Sequence, residues 1–232
     1  MRNRVTRRWP TVAEVIALFP HLDARRAAKT ALHIGALYER NRVLVRCVVR
    51  HGIDPLRSMV TAAESFRSIR GPRIFATFHV GAIHAFGPAL ERLESPVIAF
   101  RSGSIFTPGG ALVIESTKGD EQARAGALHR ALLHLRNGGV VLLALDDAPG
   151  EAIETRCLGR RLCMAPGAFA LARWTGTAIQ PVAARWIGSR IAIESYDPVN
   201  TPDEAAQWLE RYLLENPSEI TLGLLRSLLG VS

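Results

Sequence analysis

The stretch that sets the fold is Arg73-Ile74-Phe75-Ala76-Thr77-Phe78, followed directly by His79-Val80-Gly81-Ala82-Ile83-His84. Its first half is a short apolar run, which is typical of a buried β-strand. Its second half carries two histidines where the strand gives way to an amphipathic segment. A histidine at the end of a buried strand can act as a general base when a second group holds its ring in one tautomer. The stretch therefore predicts a sheet and a candidate catalytic residue, His79.

Outward from this stretch, strand and helix patterns alternate. The run at residues 140–145 is continuously apolar, as in strands that are buried on both faces of a parallel sheet. The patterns predict strands at 73–78, 96–100, 140–145, 178–185 and 191–195, and helices at 11–19, 23–50, 55–68, 82–93, 121–136, 167–174, 201–216 and 217–229.

Three of the predicted helices begin at a recognisable capping residue. Thr11 with Glu14 forms a capping box, and Asp23 can cap the long second helix. We expect Asp54 to cap the third helix, because Gly52 stops the second and Pro55 suits a first turn.

This order of elements predicts a single α/β domain over residues 1–232, with a mostly parallel mixed sheet flanked by helices. It divides into a helical arm at 1–70, an α/β core at 71–200 and C-terminal helices at 201–232. Active sites in such sheets lie at the carboxyl ends of strands. Because His79 and Asp146 both follow a predicted strand, we expect them at that edge.

Charge narrows the range of partners. The 232-residue chain has a formal net charge of +8, mostly from arginine, which favours anionic partners such as a phosphorylated carrier, CoA or an anionic membrane surface. The sequence contains no zinc finger, RNA-binding aromatic motif or helix-turn-helix pattern, so nucleic acid is not an expected partner.

An odd number of cysteines without a signal-peptide pattern predicts reduced thiols in a reducing compartment. Cys47, Cys157 and Cys163 have no metal-ligand spacing, and we expect small buried thiols and no metal or cofactor. No run approaches the roughly 18 apolar residues that a membrane span requires. The expected location is cytoplasmic, with peripheral contact at the inner face of the membrane as a further expectation.

Four blocks resemble one known family. The first is His79 to His84, and the second, at 97–101, is a strand that ends at Arg101. The third, at 138–150, is a glycine pair and an apolar strand that ends in Asp146 and Asp147. The fourth comprises 158–160, 166–172 and 176–182. In order and spacing they are similar to the lysophospholipid acyltransferase superfamily, and most similar to its bacterial lipid A lauroyl/myristoyl acyltransferase branch.

The resemblance implies an acyl transfer from acyl carrier protein or CoA to a hydroxyl or amine, with His79 as the base. Where the family has a carboxylate that orients the base, this chain has His84, and Asp146 or Asp147 could replace the missing acid. The catalytic set is therefore His79, His84 and Asp146. Residues matched to the substrate-binding positions of the blocks are Gly81, Arg101, Asp147, Arg160, Pro166 and Gly167.

Other functions stay open at this point. Because the usual acid is absent, the chain could be a catalytically degenerate protein that binds an acyl chain or an acyl carrier. A thioester hydrolase, with water as the acceptor, would need the same base. For any of these, we expect an apolar pocket beside His79, because each buried methylene contributes about 0.8 kcal/mol.

Overall fold

A seven-stranded mixed sheet runs through the part of the chain that the structure describes. The structure is a computed structural model that describes residues 9–62, 66, 70–91, 93, 97–101, 112–115, 121–146 and 151–231, with 98–101 and 112–115 described by their backbone alone. The strands are β1 Val60–Ala62, β2 Arg73–Thr77, β3 Val97–Arg101, β4 Leu112–Glu115, β5 Val140–Ala144, β6 Ile153–Cys157, β7 Arg160–Met164, β8 Ile179–Ile187 and β9 Arg190–Ser195.

The sheet has the strand order β1-β9-β8-β2-β5-β3-β4. All neighbours pair in parallel except β8 and β9, which form an antiparallel hairpin. The predicted α/β class with a mostly parallel mixed sheet is confirmed. Strands β6 and β7 form a separate antiparallel hairpin.

Helices cover the sheet on both sides. They are α1 Val12–Leu18, α2 Ala24–His51, α3 Asp54–Arg57, α4 Phe86–Leu90, α5 Glu121–Arg136, α6 Gly167–Thr175, α7 Pro202–Glu215 and α8 Leu222–Leu229, with short 3₁₀ turns at Ile83–Ala85 and Pro217–Glu219.

Side-chain alternation along the strands divides the core into two layers. In β2, Ile74 and Ala76 belong to one buried cluster, with residues of α1, α2, α5, α6, α7 and α8, whereas Phe75 belongs to the other, with residues of α3 and α4. Strand β5 alternates in the same way, with Val141 and Leu143 on the first side. Because successive side chains of a strand point to opposite faces, the continuous apolar run is explained by burial on both faces.

Most predicted elements and two of the three caps are confirmed. Helix α5 has the predicted bounds, and the strands and α6 differ by one or two residues at their ends. Thr11 and Glu14 form the capping box of α1, and Asp23 accepts from the backbone N–H of Arg26 at the start of α2. Strands β4, β6 and β7 were not predicted. Hairpin β6–β7 turns at Leu158 and Gly159, which both have positive φ, and leucine gives little sequence signal for such a turn.

The predicted helix at 55–68 is wrong for residues 58–62, and most of its second half lies outside the described residues. Helix α3 ends at Arg57, and β1 follows with Val60 and Ala62 buried against β9. Asp54 is not the cap: Ile53 holds that position, and the Asp54 carboxylate pairs with Arg57 instead. Pairing with a distant strand therefore outweighs the local helical pattern.

Two other predicted helices are interrupted. The segment at 82–93 forms a 3₁₀ turn before α4, and Pro88 lies in the first turn of α4, where its missing N–H costs nothing. The segment at 217–229 leaves the helical conformation at Ile220, which is fully buried and forms a bridge with Val80. This second break brings the C-terminal helix to the predicted catalytic turn.

Candidate active site

The side chains of His79 and Asp146 form a hydrogen-bonded pair. His79 Nδ1 lies 2.9 Å from Asp146 Oδ1, and the backbone N–H of His79 donates to the same carboxylate at 3.0 and 3.1 Å. The Asp146 side chain is 8% exposed and that of His79 is 41% exposed. A carboxylate only accepts, so Nδ1 carries the proton and Nε2 is left as the basic nitrogen.

Strand register explains why these two residues meet. In the parallel pair β2–β5, Thr77 lies opposite Ala144. The ladder extends one residue further, because the N–H of Leu145 donates to Thr77 O at 2.7 Å. His79 and Asp146 each lie two residues beyond the last matched pair, and the carboxyl ends of parallel strands share one edge of a sheet. They therefore leave the sheet side by side.

The turn after His79 requires glycine at position 81. Gly81 has φ +54°, and a Cβ there would lie 2.0 Å from Ala184 O in β8. The N–H of Gly81 donates to Glu219 O at 2.7 Å, and that of Ala82 donates to Ala184 O at 2.6 Å. The turn is therefore fixed against two distant parts of the chain, and this packing requires glycine at position 81. The predicted substrate-binding role of Gly81 stays a prediction.

Two side chains from other elements also hold this turn. Thr221, which caps α8, donates its hydroxyl to His79 O at 2.6 Å. Asn41 of α2 donates to Gly81 O at 2.7 Å, and its own oxygen accepts from Trp186 Nε1 at 3.2 Å. Neither residue was predicted, because each contact joins segments far apart in sequence. The sole local signal was Thr221 as a helix cap.

A pocket of about 660 Å³ opens beside the pair, as predicted. Helix α2 forms one wall and the first turns of α8 form another. Most of its lining surface is apolar, and two arginines lie at the α2 side. The lining residues are Leu37, Tyr38, Asn41, Arg42, Val45, Arg46, His79, Ile83, His84, Asp146, Thr221, Leu222, Gly223, Leu224 and Ser227. The helical arm predicted at 1–70 thus contributes directly to the site.

His84 lines this pocket but does not orient His79. It lies in the 3₁₀ turn, and Asp146 occupies the Nδ1 position that the motif would give to an acid. Burial, and then the nearby charge of His79, lower the pKa of His84, so its ring is neutral at neutral pH. A neutral imidazole in the pocket wall offers one donor and one acceptor to a ligand.

Three predicted binding residues lie away from the pocket. Arg160 is exposed on β7 and donates to Ala17 O of α1 at 2.9 Å. Pro166 borders a different cavity of about 630 Å³, and Gly167 begins α6 near Leu128. None of the three lines the pocket beside His79, and their substrate-binding role stays a prediction.

Two other predicted residues lie partly or wholly outside the described residues. Arg101 ends β3, where its backbone lies opposite Glu115, and its side chain lies outside the description. Asp147 lies outside the described residues. Within the described ranges, no group of three His, Cys, Asp or Glu side chains could hold a metal ion, and no helix is long and apolar enough to cross a bilayer.

A buried carboxyl group lies beneath the turn. Glu219 Oε2 would be 2.8 Å from a Cβ at position 81, and it is buried without a hydrogen-bond partner. Burial raises the pKa of Glu219 to about 7, although Arg185 and Arg40 oppose the shift. A carboxyl group whose pKa lies near neutral pH is therefore packed against the turn that carries His79.

Comparison with known proteins identifies no relative of this chain. The chain matches no protein-family model and no curated protein.

The buried Glu219 carboxyl should make the free energy of unfolding depend on pH. Its pKa is raised in the fold, so ionisation destabilises the native state progressively from about pH 4.5 to about pH 7 and fully above that range. Glu219→Gln removes this cost, and we expect it to increase the free energy of unfolding by about 1–3 kcal/mol at alkaline pH, with little change at acid pH. Urea unfolding at several pH values measures this. An increase that does not depend on pH would contradict the assignment.

Proposed function

We propose that this protein is an acyltransferase that moves an acyl group from a thioester to a hydroxyl or amine, with His79 as the general base. The observation that carries the proposal is the 2.9 Å contact of His79 Nδ1 with Asp146, at the edge of a pocket that the His79 ring lines. The four blocks that resemble the lysophospholipid acyltransferase superfamily support the same reaction class.

The chemistry begins at Nε2 of His79. This nitrogen takes the proton of the acceptor hydroxyl as the acceptor oxygen attacks the thioester carbonyl carbon. The imidazolium that forms keeps its Nδ1–H on the Asp146 carboxylate, which stabilises the positive charge. When the C–S bond breaks, the sulfur leaves as a thiolate and takes the proton back from Nε2. The base then returns to its starting state.

Asp146 supplies the orienting carboxylate that the motif at residues 79–84 lacks. An acid at position 84 would lie on the same turn as the base, whereas Asp146 reaches Nδ1 from the neighbouring strand β5. It also accepts the backbone N–H of His79, so the ring and its main chain are held by one carboxylate. This contact favours an active site over a degenerate one.

The walls of the pocket fit the two parts of a thioester donor. Leu37, Val45, Ile83 and Leu224 offer apolar surface for an acyl chain. Arg46 is exposed on the α2 side. Acyl carrier protein and CoA both attach the acyl group through a phosphate-bearing arm, and arginine binds phosphate well. Apolar walls beside an exposed arginine therefore suit acyl carrier protein and CoA equally well as donors.

An assay with a radiolabelled acyl donor tests the proposal. His79→Ala should reduce acyl transfer by about 10²- to 10⁴-fold, because the base is lost. Asp146→Asn should cause a loss of similar size, since the amide no longer holds the Nδ1–H tautomer. The exposed His129 on α5 offers a matched control, and His129→Ala should leave transfer unchanged.

The products of that assay separate the alternatives. Acylated acceptor from a lipid extract supports a transferase, and release of free acid alone would indicate a thioester hydrolase. Binding of the donor without any product would indicate an acyl-binding accessory protein. Full transfer by folded His79→Ala would overturn the catalytic assignment.

We expect His84 to have a role of its own in the pocket. Since Asp146 already holds His79, a carboxylate at position 84 cannot serve as the orienting acid, and it would place a charge in a partly buried wall. We expect His84→Asp to lower transfer rather than raise it, whereas His84→Gln should keep more activity. The ratio of kcat/KM for the two variants measures this, and higher activity of His84→Asp would show a degraded motif.

A further inference from the structure

Helix α1 presents an apolar face to solvent. Trp9 is 47% exposed, Val12 37% and Ile16 36%, and the alanines at 13 and 17 are also exposed. Glu14 is the sole charged residue within α1, and its carboxylate is held by Thr11. A surface helix normally turns polar residues outward, so a contiguous apolar face of this kind marks an interaction surface.

Helix α2 has a strongly basic outer face. It carries seven Lys and Arg residues against one acid, Glu39, which pairs with Arg42 at 2.7 Å. Exposed aliphatic side chains lie among the basic ones: Leu32 is 61% exposed, Val43 60% and Val49 66%. Apolar and cationic residues interleaved on a long helix are typical of a helix that lies at a membrane interface.

The apolar face of α1 and the mouth of the pocket lie on the same side of α2. The Trp9 ring packs over Gly35, which has no side chain in the way. Gly35, Arg42 and Val49 recur at seven-residue spacing, so they share one face of α2, with about 10 Å between successive members. Arg42 lines the pocket, and α1 also contacts α8, the opposite wall.

We propose that α1 and the C-terminal half of α2 form a docking surface for an anionic lipid bilayer, so that the pocket opens at the membrane. Trp9, Val12 and Ile16 enter the headgroup boundary, and Arg50 faces the lipid phosphates. Tryptophan suits this depth because its ring is amphipathic. The proposal builds on the proposed function in one respect, namely that the lipid surface supplies the acyl acceptor.

The exposed apolar groups favour a membrane over nucleic acid or an acidic protein. A surface that binds nucleic acid carries cationic and polar groups. The exposed tryptophan, valines and isoleucine would add little binding energy through contacts with phosphates. A bilayer uses both components, because burial of apolar side chains adds to the attraction of basic residues to anionic headgroups.

Vesicle flotation tests the proposal on the full chain. The protein should float with phosphatidylcholine vesicles that contain about one part in three phosphatidylglycerol, and weakly or not at all with phosphatidylcholine alone. Added salt should reduce the binding. No binding to the anionic vesicles would overturn the proposal, as would a soluble dimer that buries Trp9 in place of lipid contact.

Surface variants locate the contact. Arg50→Gln should weaken binding to the anionic vesicles about fivefold. Val49→Ser and Ile16→Ser should weaken it further, and the high exposure of Val49 keeps the first of these folded. Matched controls on α7, Arg211→Gln and Leu214→Ser, should bind like the unaltered protein. Equal losses in the controls would overturn the assignment of this surface.

A last comparison separates docking from catalysis. His79→Ala should bind vesicles like the unaltered protein, since its side chain is not part of the docking surface. If that variant and the unaltered protein both float but neither transfers acyl groups, the proposed function fails and the docking surface stands. If the protein binds short duplex DNA through Arg50 and does not float with vesicles, its partner is nucleic acid. That result would overturn the proposal of a membrane-docking surface.

Discussion

Parallel pairing of β2 with β5 is the constraint on which the site depends. The pairing sets Thr77 opposite Ala144, and the chain beyond each residue then carries His79 and Asp146 to the same point of the sheet edge. Both strands are buried on two faces, so a register shift would turn apolar side chains out of the two core layers. The same burial that stabilises the sheet therefore fixes the separation of the base and its carboxylate.

The turn that follows His79 is held from three directions. Strand β8 approaches Gly81 too closely for any side chain, Asn41 reaches it from α2, and Thr221 ties the His79 carbonyl to the start of α8. These contacts also join the helices that form the pocket walls. A change in the packing of α2 or α8 would consequently be transmitted to the backbone that carries the base.

Local sequence patterns were sufficient for the fold class and for part of the site. The apolar runs identified the central strands, and both His79 and Asp146 were identified as strand-end residues. The register between β2 and β5 could not be read from the sequence, and so the choice of Asp146 over His84 as the partner of His79 could not be made.

The remaining errors have a common physical origin. Val60 joins a sheet through a strand about 130 residues away, and Ile220 leaves its helix to pair with Val80. Neither partner is visible in a local window. Likewise, the local block does not indicate that Arg160 donates to Ala17 O of α1 or that Pro166 borders a second cavity.

The tautomer of His79 tests the central claim most directly. Nitrogen-detected NMR of the 15N-labelled imidazole, at a pH where the ring is neutral, distinguishes Nδ1–H from Nε2–H. The account predicts that His79 is in the Nδ1–H form, and that Asp146→Asn shifts it toward the Nε2–H form common in free histidine. A neutral His79 already protonated at Nε2 in the unaltered protein would contradict the account, because its basic nitrogen would then face the carboxylate and not the pocket.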